Sequence, residues 1–242
     1  MTVDLNCDLG EGTGRDPELM ALVTSANIAC GAHAGDESTM RKAAELAMRH
    51  HVGLGAHPGY ADREHFGRRE IALTPRELAK LLIAQIEALR ALANVRHVKL
   101  HGALYNLAAR ERGVADVVAN AVIAVDPSLI LFALARSQLV AAGRIRGLRV
   151  AEEVFADRTY RADGALTPRA AADALIAEDD RAVEQARRMV GEGVVIATDG
   201  SRVQVTADTV CVHGDGSRAT DLVRAIRQAL MADGIALKTF GT

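Results

Sequence analysis

The chain has no tryptophan, and aromatic residues make up only 3% of it. Its apolar fraction of 49% is carried mainly by Ala, Leu, Val and Ile, a palette that suits helices packed on a parallel sheet. No charge of one sign dominates: 29 basic residues face 31 acidic ones, leaving −2, which excludes the basic stripe of a nucleic-acid binder. No stretch reaches the roughly 18 uncharged apolar residues of a membrane span. Met1-Thr2-Val3-Asp4 enters a strand pattern at once, so no signal peptide is expected. Cysteines number three, Cys7, Cys30 and Cys211, all within apolar strand patterns. An odd count without CxxC points to buried free thiols in a reducing cytoplasm and away from a structural zinc site.

Other absences narrow the chemistry. No GxxxxGK[ST] phosphate loop, GxGxxG fingerprint or GxSxG elbow is present. No helical segment carries the HxxxH or HExxH spacing of a zinc site, although a metal held by strand ends would leave no short motif. Linkers rich in Pro, Gly or Ser and clear repeats are also missing, so residues 1–242 are expected to form a single domain. At this length a sizeable core can be buried, and a mean hydropathy of +0.07 fits a globular chain.

What is present is an alternation of short apolar runs and helical patterns. Strands are expected near 3–7, 26–30, 52–56, 97–100, 129–133, 149–152 and 209–213. Asp16-Pro17-Glu18 offers an N-cap at Asp16 with a proline at the first helical position, and Asp36 can cap a helix reaching about His50. Thr74-Pro75-Arg76-Glu77 matches a capping box, followed by Leu78, Leu81, Leu82, Ile86 and Leu89 at helical spacing. Thr167-Pro168 is read as opening a helix that runs to about Val190. Residues 194–205 read as a β-hairpin around Asp199-Gly200, inserted before the last core strand. The fold class is therefore α/β with a parallel sheet.

Six of the seven predicted strands exit into titratable residues. They lead to Asp8 and Glu11; His33 and Asp36; His57; His101, Tyr105 and Asn106, with Lys99 inside the strand; Glu153, Asp157 and Arg158; and His213 and Asp215. Contributions from nearly every strand favour a closed (β/α) barrel, whose ligands bind at the carboxyl ends of the strands, over an open sheet with one switch point. Within the first strand Asp4, Asn6 and Asp8 share one face, and Val3, Leu5 and Cys7 the other, so the polar face is expected to point inward. Glycines beside His33 let the chain turn sharply. Asp36 serves equally well as a helix cap, Arg68-Arg69 as a solvated pair or an anion clamp, and Asp179-Asp180 as solvated surface. Such a mouth suits metal-activated water or metal-free acid–base catalysis.

The blocks DLNCDLGEG (4–12), SANIACGAHAGD (25–36), GAHPGY (55–60), FGRR (66–69), HVKLHGALYN (97–106), EVFADRTY (153–160) and CVHGD (211–215) together resemble the LamB/YcsF family. They run in order along almost the whole chain. The resemblance implies an irregular seven-stranded (β/α) barrel, similar to the polysaccharide deacetylase and glycoside hydrolase-like barrels. It also implies the role of the A subunit in a 5-oxoprolinase working with subunits B and C. That enzyme opens the lactam of 5-oxo-L-proline to L-glutamate at the expense of ATP, used with magnesium by the complex. Departures are small: Leu100 stands where the family has proline, and Ala61 and His65 alter two loop positions. The metal set of the deacetylases is not carried over.

Under that reading Asp8, Glu11, His33, His57, Lys99, His101, His213 and Asp215 are catalytic candidates. Asn6, Arg68, Arg69, Tyr105, Asn106, Glu153, Asp157 and Arg158 are candidates for binding substrate. Arg158, Lys99 or the Arg68-Arg69 pair would meet the substrate carboxylate. Asp8, Glu11 or His101 would be the base, and Lys99 or a histidine would donate to the lactam oxygen. Two other classes stay open: a stand-alone metal-dependent amidohydrolase or deacetylase, and a non-catalytic barrel that binds a small carboxylate. A metal at the mouth, the subunit that holds ATP and homo-oligomerisation are also left open.

Overall fold

The alternation in the first strand is what the barrel is built on. In a computed structural model that describes residues 1–214, 216 and 218–241, β1 (Thr2–Leu9) is followed by α1 (Asp16–Met20), β2 (Ser25–Ala29), α2 (Glu37–His50), β3 (Gly53–His57) and α3 (Pro75–Arg90). Next come β4 (His97–Lys99), α4 (Gly102–Arg110), α5 (Arg112–Val125), β5 (Ile130–Leu134), α6 (Gln138–Ile145) and β6 (Arg149–Phe155). The chain ends with α7 (Asp179–Gly191), β7 (Val194–Ile196), β8 (Arg202–Gln204), β9 (Thr209–Val212), α8 (Ala219–Ala232) and β10 (Ala236–Leu237).

The order β1-β2-β3-β4-β5-β6-β9 is parallel throughout, and β9 pairs back with β1, with Asp4 opposite Thr209. This is the irregular seven-stranded (β/α) barrel expected. All seven expected barrel strands form, with ends shifted by three residues at most. β7 and β8 make the antiparallel hairpin ahead of β9, and β10 adds to the start of β1.

Val3, Leu5, Cys7 and Leu9 pack outward into the main apolar cluster with the helices. Asp4, Asn6 and Asp8 point inward and are buried. Burying such groups is costly unless they are hydrogen-bonded, and each is. Asp4 accepts from Thr24, Ser25 and Thr209, while Asn6 donates to Glu153 and Thr209 and accepts from Asn27. Lower in the barrel, Ile130, Phe132 and Ala151 form a small apolar plug backed by Phe240. The His97 ring stacks on Phe132 at 4.1 Å. Gly55 makes room for it, since a Cβ there would lie 2.1 Å from His97 Nε2. The three cysteines are buried and free.

Helix starts follow the capping chemistry. Asp36 accepts from the Thr39 amide at the head of α2, and Thr74 and Glu77 complete the capping box of α3. Two expectations are corrected. Asp16 is the first residue of α1, and its carboxylate accepts instead from the Gly10 amide. No helix starts at Thr167: α7 begins at Asp179. Backbone amides of 159–176 are bonded to a returning loop (Thr159 N to Ala174 O, Thr167 N to Thr159 O), and the Arg158 guanidinium donates to Thr167 O and Ala174 O. Among the described residues no helix is long and apolar enough to cross a membrane.

Candidate active site

The carboxyl ends of the barrel strands open into a cavity of about 710 Å³. Its floor is a charged layer. Lys99, at the end of β4, lies 2.8 Å from Asp8 Oδ1, 2.9 Å from Glu153 Oε1 and 2.9 Å from Cys211 Sγ. Burial disfavours the ammonium, but Asp8, Cys211 and Glu153 outweigh it and hold Lys99 well above its ordinary range. Burial likewise works against the Asp8 carboxylate, and His57 with Lys99 overcomes it and keeps Asp8 ionised. Tyr105, on α4, donates to Glu153 Oε2 at 2.7 Å.

Above this layer three imidazoles and a carboxylate converge. Glu11 follows β1, His33 follows β2, His57 ends β3, and His101 is the N-cap residue of α4. One donor atom from each lies within 4.8 Å of the others. His57 Nδ1 is 2.8 Å from the Lys99 carbonyl and His101 Nε2 is 2.8 Å from the Phe66 carbonyl. A carbonyl only accepts, so both of those nitrogens carry protons. The remaining atoms, His57 Nε2 and His101 Nδ1, face each other at 3.0 Å. Glu11 Oε1 is 3.3 Å from His101 Nδ1 and 3.5 Å from His33 Nε2. Burial pushes His33 down, and burial with the neighbouring His57 and His33 pushes His101 well down. For His57, burial is outweighed by the Asp8 carboxylate 3.4 Å away, which pushes it up.

On the opposite wall His213, after β9, donates twice to the Asp157 carboxylate, from Nδ1 (2.9 Å) and from its backbone amide (3.1 Å). The loop between β6 and α7, which takes the place of the first part of the expected helix, brings Arg161 and Arg169 to the cavity, and Arg136 enters from the end of β5.

The structure thus gathers Asp8, Glu11, His57, Lys99, His101, Tyr105, Asn106, Arg68, Arg158 and His213 around one cavity. His33 stands just behind, stacked on His101 at 3.7 Å. Asn6, Glu153 and Asp157 do not line the cavity and instead hold groups that do. Arg69 is half-exposed, 3.6 Å from Asp62 and away from the cavity lining. Asp215 lies outside the described residues. His97 stands four residues before His101, but it belongs to the barrel floor, where its Nε2 meets Asn27 Oδ1 and burial holds it at about 3. Sequence reading missed Arg136, Arg161 and Arg169. The fifth strand exit looked bland, and the two loop arginines fell next to or inside an expected helix.

A closed parallel barrel with a polar interior and charged strand exits is the architecture of a small-molecule enzyme of the β/α-barrel class. The chain belongs to the LamB/YcsF family, whose model matches residues 3–242. The 5-oxoprolinase A subunit of Bacillus licheniformis is 51% identical over 250 residues, covering 99% of each chain. That of Bacillus subtilis is 52% identical over 243 residues, covering 96% of this chain and 95% of the relative. Among solved structures, the lactam utilization protein from Thermus thermophilus superposes with a TM-score of 0.92 at 43% identity, covering 99% of this chain and all of that one.

Proposed function

We propose that this chain is the A subunit of an ATP-dependent 5-oxoprolinase, active with subunits B and C, that hydrolyses 5-oxo-L-proline to L-glutamate with formation of ADP and phosphate. One observation carries the reading: about half of the sequence is identical, end to end, with subunits so named. The chemistry of the mouth is compatible with it. A lactam is an unstrained amide and a poor electrophile. ATP with magnesium, used by the complex, supplies the activation of its oxygen. The part of this chain that fits a phosphate group is the arginine-lined rim, with Arg68, Arg136, Arg161 and Arg169 around the cavity. The substrate carboxylate draws on the same rim.

Inside the cavity the roles divide by proton affinity. Asp8 is held too acidic to take a proton from water and serves to balance Lys99 and His57. Lys99 is enclosed by acceptors on Asp8, Glu153, Cys211 and Asn6, so it fixes the floor rather than reaching for the lactam oxygen. Proton acceptance from water falls to the Glu11 carboxylate, on the cavity wall, because neutral His101 is pushed well down by burial and its neighbours. As the C–N bond opens, the ring nitrogen takes a proton, and His213, held by Asp157, is placed to deliver it.

The test is reconstitution. The purified chain, alone and with B and C, is given 5-oxoproline, ATP and magnesium, and glutamate and ADP are quantified. Glutamate formed only by the full set is the expected result. A well-folded complex that forms no glutamate overturns the assignment.

A further inference from the structure

The cluster above the charged floor has more acceptor lone pairs than protons to satisfy them. His57 and His101 each commit one ring nitrogen as a donor to a backbone carbonyl. Metal-bound histidines are oriented in this way, with the outer N–H tied to a carbonyl and the inner lone pair left for the ion. The two inner nitrogens then face each other at 3.0 Å, a contact that needs a cation between or beside them. One shared proton would serve that pair alone. It leaves His33, 1% exposed, with neither ring nitrogen hydrogen-bonded, and Glu11 Oε1 buried and unpartnered at the same point.

We propose that Glu11, His33, His57 and His101 form a binding site for one divalent transition-metal ion of the zinc type. Three imidazoles and one carboxylate are the donor set such ions prefer over magnesium or calcium, which take oxygen. The spacing agrees. Bonds of about 2.0–2.1 Å at tetrahedral angles put neighbouring donors about 3.3–3.4 Å apart. Glu11 Oε1 lies 3.3 Å from His101 Nδ1, 3.5 Å from His33 Nε2 and 3.9 Å from His57 Nε2. The rings are also seated. His33 and His101 stack within 2° of parallel, so ligation of one ion by both in-plane lone pairs requires the His33 ring to tilt out of the stack. Gly59 and Gly67 admit the rings closely: a Cβ on Gly67 would lie 2.9 Å from His33 Cβ and 3.0 Å from His101 Cδ2. Glu11, His57 and His101 border the cavity, so a bound ion would be reachable by a small ligand. The inference does not depend on the 5-oxoprolinase reading, because it concerns metal content and not turnover.

The full-length chain, stripped with chelator and dialysed, is titrated with Zn²⁺ against a chromophoric competitor and with Co²⁺ followed by visible absorption. The expected result is one ion per chain, a tetrahedral-type Co²⁺ spectrum and a raised melting temperature with Zn²⁺. Glu11→Gln and His33→Ala are each expected to weaken Zn²⁺ binding by more than about 100-fold, beyond the loss of an outer partner. His50→Ala, at an exposed histidine far from the cluster, should leave it unchanged. Circular dichroism checks that each variant folds; should His33→Ala not fold, Glu11→Gln decides. No binding at micromolar Zn²⁺, or binding that survives both cluster variants, overturns the site.

Discussion

Lys99 shows what a single side chain does when sealed among opposite charges. It is 1% exposed, with Asp8 and Glu153 each within 3 Å. Removing one partner of a buried ion pair costs about 3–5 kcal/mol, because the remaining charge keeps its desolvation cost and loses its compensation. Lys99→Met is therefore expected to lower stability by about that amount in urea denaturation at neutral pH, and to abolish activity of the complex. Lys99→Met combined with Glu153→Gln should recover part of the stability. A Lys99→Met chain as stable as the parent would contradict this picture of the floor. The sequence placed Lys99 on a strand and facing the site. Its acceptors come from residues 6, 8, 153 and 211, and such distant partners leave no local trace in a strand pattern.

Elements were the most legible level, since they are set by near neighbours. Polar–apolar alternation located β1 and its inward face, and the Thr74 box located the head of α3. Thr74→Ala is expected to cost about 1 kcal/mol, seen as a melting shift of about 2–4 °C, with kcat/KM of the complex unchanged because the cap is exposed and outside the cavity lining. A loss of activity at full folding would contradict that. Local rules failed at Thr167-Pro168, where a sound helix start was overridden by Arg158, whose guanidinium claims the carbonyls of Thr167 and Ala174. The same failure concealed Arg169 from the site. Inside β3, Gly55 reads as a weak strand residue, yet its missing Cβ is what admits His97. Gly55→Ala should drive the ring off Phe132 and away from Asn27, costing about 1–3 kcal/mol or more. Differential scanning calorimetry that finds no drop in melting temperature would show that the barrel relaxes around the extra methyl.

At the scale of the whole molecule, closure into a ring is what makes a polar interior tolerable. Every inward polar group of β1 finds partners on neighbouring strands, and Asp4 is the clearest case. Burial raises its carboxyl to about 6, against hydrogen bonds from Ser25, Thr209 and Thr24 that lower it. The unfolded chain gives up this proton near 3.8, so between there and about 6 the folded state holds the proton more tightly. The contribution of Asp4 to stability is therefore fully present below the unfolded value, falls as pH rises through this window, and is level above it. Each pH unit separating the two titrations is worth about 1.4 kcal/mol, so the loss between about pH 4 and pH 7 comes to about 2 kcal/mol. Asp4→Asn keeps the shape and removes the titration. Carboxylates held low, such as Asp8 and Asp157, push stability the other way with pH, but they do so in both proteins and cancel in the comparison. Urea melts of parent and variant at the two pH values should show the parent losing about 2 kcal/mol more on going to pH 7. Parallel pH profiles would mean that Asp4 is ionised throughout and that the barrel interior is more hydrated than its burial suggests.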